Sequence, residues 1–169
     1  MPASTRHILV TGASGFIGRH LVASLRADGH VVHTPRRGQP LDVDGPLDAV
    51  VNLAGAPILG PPWTRARRKL LRESRITTTW ALVQSLAARA QRPAVLVSAS
   101  AIGFYGVRGD EPLDEQATAQ DIFQSQLCQD WETAAEAATH LGIRVVRLRL
   151  GVVLGRDGKP ASGALVEIW

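Results

Sequence analysis

The stretch HILVTGASGFIG, His7 to Gly18, constrains the fold more than any other part of the chain. HILVT is a short apolar run that ends in a glycine turn, which reads as a buried strand. Helical periodicity begins almost at once, with Phe16, Ile17, Leu21, Val22 and Leu25 on one side, and Gly29 stands where that helix should stop. A strand that passes through a glycine turn straight into a helix aims the helix N-terminal amides at whatever lies above the strand end, an arrangement suited to phosphate. The three glycines have separate tasks. Gly12 permits the tight turn, Gly15 lets the backbone approach a pyrophosphate, and Gly18 lets the helix pack closely on the sheet. With Ser14, Phe16 and Ile17 they form a dinucleotide-binding loop, because the glycine spacing occurs in the strand–turn–helix setting that gives it meaning.

The rest of the 169 residues continue the pattern. Strands are expected at His30–Thr34, Asp48–Leu53, Pro93–Ser100 and Ile143–Leu150. Long helical regions are expected at Pro62–Ala90 and Ala119–Leu141, the second closing at Gly142. Alternating strands and helices imply a doubly wound parallel α/β sheet, Rossmann-like, with helices on both faces. Residues 35–46 are too few for a crossover helix and a strand, so a loop with at most a very short strand near Leu41–Val43 is expected. Residues 1–155 form the dinucleotide-binding domain. Residues 156–169 read as a loop and the start of a truncated substrate-binding region.

The second strand bears on cofactor choice. An acidic residue at its end would hold the adenosine ribose hydroxyls and repel a 2′-phosphate. HTPRRG has no acid there; Arg36 and Arg37 stand in its place, which favours NADP over NAD. The alternative is a surface arginine pair. Arg65, Arg68, Arg72 and Arg75 recur at three- and four-residue spacing and are expected on one helical face, either solvated or with one or two arginines turned to phosphate. The net charge of +4 raises nucleic acid as a partner. The basic residues carry no interleaved aromatics, so a small-molecule substrate is the expected partner. No apolar run nears the roughly 18 residues of a membrane span. The single cysteine and the absence of Cys/His clusters leave no disulfide or metal-ligand pattern, and a reducing cytoplasm is the simplest compartment.

TGASGFIG, NLAG (Asn52–Gly55), SRITTT (Ser74–Thr79), SASAIGFYG (Ser98–Gly106), CQDWE (Cys128–Glu132) and RLRLGVVLG (Arg147–Gly155) occur in order. In these segments the chain resembles the extended short-chain dehydrogenase/reductases, and among them the atypical NAD-dependent epimerase/dehydratase-like proteins. The resemblance implies NADP binding at Gly12, Gly15, Gly18, Arg36 and Arg37, with Leu53, Ala54 and Gly55 lying against the adenosine. It places Ser100 where such reductases hold a substrate oxygen; the alternative is a strand-end serine bonded to local backbone. Arg75 falls where typical members place an active-site asparagine, and a phosphate-facing role is expected of it.

The chain departs from that family at one point. Reductases of this kind carry Tyr-x-x-x-Lys on the helix after the serine strand, and no such pair exists here. Cys128 and Glu132 keep the spacing with different chemistry. Cys128 reads as a catalytic thiol or a buried packing residue. Glu132 reads as an acid/base or as the partner of an arginine such as Arg75. Tyr105, the only tyrosine, could swing in from its loop as a substitute acid. Two functions follow: an NADP(H)-dependent oxidoreductase or epimerase acting on a hydroxyl or carbonyl, or a non-catalytic NADP-binding sensor. A dinucleotide domain without its cap can also expose apolar surface and self-associate.

Overall fold

A computed structural model describes residues 4–36, 43, 45–58 and 62–155. Five parallel strands form one sheet: β1 (His7–Thr11), β2 (Val31–His33), β3 (Ala49–Asn52), β4 (Val95–Ala101) and β5 (Arg144–Leu150), in the order β2-β1-β3-β4-β5. The helices are α1 (Phe16–Ala27), α2 (Arg65–Arg72), α3 (Thr78–Ala87) and α4 (Phe123–Glu136). A π turn, Glu73–Thr77, joins α2 to α3. A 3-10 turn, Ile102–Tyr105, follows β4, and another, Ala137–Leu141, follows α4.

The alternation of β1 explains the layering. Leu9 points into a core with Val50, Leu82, Leu86, Leu96 and Ile143, where α3 and α4 cover one face. Ile8 and Val10 point the other way, onto Val22, Leu21 and Leu25 of α1. A strand buried on both faces carries a continuous apolar run, as HILV does. Register locks the strand ends together: Thr11 stands beside Asn52, Asn52 beside Ser98, and Ser100 beside Arg149.

The expected doubly wound sheet is present, with shifted borders. The region read as one helix over 62–90 is α2, the wide π turn and α3. The helix expected from Ala119 begins at Phe123. The short strand expected near Leu41–Val43 and the segment 156–169 fall almost wholly outside the described residues.

The wide turn changes one reading. Arg65, Arg68 and Arg72 are exposed, but Arg75 is buried. A regular helix would keep Arg75 on the face of Arg68 and Arg72. The extra residue in the π turn re-phases the chain and turns Arg75 inward. The four arginines therefore do not share a face.

Candidate functional site

The crossover from β1 leads outward to β2, while that from β3 leads the opposite way to β4. Their carboxyl ends thus flank a topological switch point, where doubly wound sheets bind ligands. Gly12 sits there with φ +68°. A Cβ on it would lie 2.4 Å from the Leu53 carbonyl oxygen and 2.9 Å from the Ala54 nitrogen. Gly18 packs as closely: its Cβ would stand 2.2 Å from the Gly12 oxygen. The Gly15 amide donates to the Gly12 carbonyl at 2.9 Å, closing the turn.

Gly15 caps α1 in an extended conformation. No side chain bonds to the cap, and the first turn carries no acid. A Cβ at Gly15 would meet only the Gly12 oxygen, at 3.2 Å, and otherwise point into open space. This cradle of first-turn amides, with glycine where backbone must be approached, fits the pyrophosphate of a dinucleotide. Ser14 is exposed at its lip, and Arg36 is exposed three residues past β2. Arg37 lies outside the described residues. The structure thus brings Gly12, Gly15 and Gly18 together with Leu53 and Ala54, and places Arg75 behind Gly55, with its Cζ 3.4 Å from that glycine's Cβ position.

A buried polar chain, missed from the sequence, fixes these strand ends. Thr11 Oγ1 donates to Asn52 Oδ1 at 2.6 Å, and Asn52 Nδ2 donates to Thr79 Oγ1 at 2.9 Å and Ser98 Oγ at 3.3 Å. Trp131 Nε1 donates to the same Thr79 hydroxyl at 3.0 Å. All five residues are buried. Strands β1, β3 and β4 are thereby tied to α3 and α4 just below the crevice. The signal was a polar asparagine at the end of an otherwise apolar strand, which needs partners when enclosed.

A second cluster lies at the ends of β4 and β5. Ser100 is fully enclosed, and its hydroxyl donates to Glu132 Oε1 at 2.6 Å. Arg149 clamps the same carboxylate with two bonds, Nε to Oε1 at 2.9 Å and Nη2 to Oε2 at 3.0 Å. Arg147 adds a 3.6 Å contact to Glu132 and reaches Glu136 at the same distance. Arg149 Nη1 also donates to the Tyr105 hydroxyl at 3.1 Å and to the Glu115 carbonyl at 3.2 Å. Its Cζ lies 3.5 Å from the Phe104 ring centroid. The hydrogen bonds to Glu132, above all, raise the Arg149 pKa further beyond the usual range, so it remains a cation.

These contacts settle where the expected catalytic residues stand. Glu132 pairs with arginines of β5, and Arg75, one arginine considered for it, donates to the Ala56 carbonyl at 3.0 Å. Ser100 is bonded to a helix carboxylate rather than to local strand backbone. Cys128 is buried against Ala99, Ala101 and Trp131. Tyr105 sits on a turn directly after β4, buried and tied to Arg149, and is not carried on a free loop. Sequence reading overlooked Arg149, although RLRL alternates cations along one face of a strand expected to be buried.

Residues 8–168 match the model of the NAD dependent epimerase/dehydratase family. The chain belongs to that family. It is 40% identical over 174 residues to epimerase family protein Mb2239 of Mycobacterium bovis, covering 94% of this chain and 56% of that one. The chloroplastic SDR39U1 homologue of Arabidopsis thaliana is 36% identical over 175 residues, covering 89% and 50%. Human epimerase family protein SDR39U1, solved with NADPH, superposes with a TM-score of 0.79 at 33% identity, covering 92% of this chain and 56% of that one. The chain spans about half the length of the curated relatives it matches. No helix among the described residues is long and apolar enough to cross a membrane.

Proposed function

We propose that this chain binds NADP(H) as part of an oxidoreductase or epimerase acting on a hydroxyl or carbonyl substrate. The observation that carries this reading is the Gly12–Gly15–Gly18 cradle, closed against Leu53 and Ala54 at the switch point. The human relative solved with NADPH supports it. The first-turn amides of α1 would hold the pyrophosphate, Leu53, Ala54 and Gly55 would wall the adenosine, and Arg36 with Arg37 would take the 2′-phosphate. The bound cofactor would supply hydride exchange. Fluorescence titration tests this directly: NADPH should bind about tenfold or more tighter than NADH, a margin that matches one charged hydrogen bond. Arg36→Ala with Arg37→Ala should remove most of that preference. Equal affinity for the two cofactors in the unaltered chain defeats the NADP assignment.

A second reading, a cofactor-binding sensor without chemistry, is favoured by one observation. The Ser100 hydroxyl already donates its proton in a hydrogen bond to Glu132, and that carboxylate is neutralised by Arg149. Ser100 can donate to a substrate oxygen only after the Glu132 contact opens. NADPH-dependent reduction of any small carbonyl, lost in Ser100→Ala, would exclude the sensor.

A further inference from the structure

Behind the crevice lies a buried cation that the proposed chemistry does not use. Arg75 is 1% exposed and sits inside the π turn. Its Nη2 donates to the Ala56 carbonyl at 3.0 Å, and Nη1 reaches the Leu71 carbonyl and Ser74 Oγ, each at 3.4 Å. Ser74 Oγ in turn accepts the Ala56 amide at 3.1 Å. Both main-chain polar groups of Ala56 are therefore held by adjacent residues of one turn.

The guanidinium also lies against Gly55. A Cβ there would stand 3.4 Å from Arg75 Cζ, 3.5 Å from Nη2 and 3.6 Å from Nε, so all three atoms face the glycine together. The Trp131 ring also lies against the guanidinium, its centroid 5.2 Å from Cζ. Just before Gly55 in the same segment, Leu53 and Ala54 lie against Gly12. The wall 53–56 is thus held at its start by the glycine loop and at its end by the guanidinium.

We propose that Arg75 is a positioning residue for the dinucleotide cradle: it fixes the wall 53–56 against Gly12 without touching the ligand. The proposal rests on the NADP(H) reading above. Arginine suits the place because its planar fork serves several acceptors while lying flat on a glycine; a lysine ammonium offers the charge without the plane. The wide turn accounts for how a residue of a basic, solvated helix reaches an interior position.

The test measures NADPH affinity of the folded full chain by fluorescence, with folding checked by circular dichroism, alongside hydrogen exchange of the 53–56 amides. Arg75→Lys and Arg75→Met should each weaken NADPH binding about tenfold, the scale of one lost charged hydrogen bond. Both should also speed exchange at Ala56. Arg72→Ala, an exposed neighbour, should change neither. Gly55→Val leaves Arg75 intact and adds branched carbons beyond the ordinary contact a methyl would make with its guanidinium, so it should weaken binding several-fold and carries the test if the Arg75 variants do not fold. Folded Arg75→Lys with unchanged affinity and unchanged exchange would overturn the proposal while leaving the cofactor reading intact. An unaltered chain that fails to bind NADPH would take down both, and is told apart by that control.

Discussion

At the scale of single residues, the glycines of the loop can be separated by what a methyl group would strike. A Cβ on Gly18 would meet backbone on two sides, at 2.2 Å from the Gly12 oxygen and 2.8 Å from Ala13 Cα. Neither atom is the end of a flexible side chain, so Gly18→Ala should lower stability by about 2 kcal/mol, read from urea unfolding. A Cβ on Gly15 would meet only the Gly12 oxygen, at 3.2 Å, so Gly15→Ala asks for a shift of a few tenths of an ångström and should cost less than Gly18→Ala, about 1 kcal/mol. It should nevertheless weaken NADPH binding, because the methyl enters the place where phosphate approaches. A Gly15→Ala chain that binds NADPH like its parent would mean the cradle has another use. His33 offers a pH test. Its ring contacts His7 at 3.4 Å, and burial, then the charges of His7 and Arg89, lower its pKa from the ordinary 6.5. The unfolded chain then binds more protons, so the stability it contributes is complete above 6.5 and falls as pH drops through 6.5 toward the lowered native value. The urea midpoint should be lower at pH 5.5 than at 7.5, and His33→Gln should flatten the difference.

At the scale of elements, the contact between α4 and β5 is an ion ladder. Glu132 and Glu136 lie one helical turn apart, while Arg147 and Arg149 lie two residues apart on one strand face, so the two periodicities meet. The inner rung, Arg149 with Glu132, is bidentate, with Glu132 buried and Arg149 partly so, and the outer contact of Arg147 is half-exposed and weaker. Removing one partner of a partly buried bidentate pair leaves the other charge poorly compensated. Glu132→Gln should therefore cost about 3 kcal/mol or more, whereas Glu132→Gln with Arg149→Met should cost less than the two single changes summed. Strict additivity in a double-mutant cycle would remove the pair from any account of how α4 docks. The elements themselves were largely legible: HILVT and the periodic helix after it had to become β1 and α1. The π turn was not, because a single extra residue in a helix leaves no mark in an arginine spacing that suits a regular helix equally well.

At the scale of the whole molecule, β5 is an edge strand of the described sheet, and aliphatic side chains on it and just beyond it are exposed. Leu148, Val152 and Leu154 are 39%, 43% and 57% exposed. A strand edge beside exposed aliphatic groups favours association. Sedimentation velocity should show self-association of this chain as concentration rises, reduced by Leu148→Glu with Leu154→Glu. A monomer throughout the accessible range would count against that expectation.

What the sequence determined alone was the doubly wound sheet, the glycine cradle, the family and the altered helix at Cys128 and Glu132. These depend on short-range properties: periodicity, the reach of a glycine turn, and the identity of residues four apart. Tertiary structure decided the rest. It gave Glu132 to Arg149 and Arg147, aimed the Ser100 hydroxyl at Glu132, and buried Arg75 beside Gly55 and Ala56. Long charged side chains can reach any of several partners, and sequence spacing does not rank them; the packing of α4 across β4 and β5, and one wide helical turn, does.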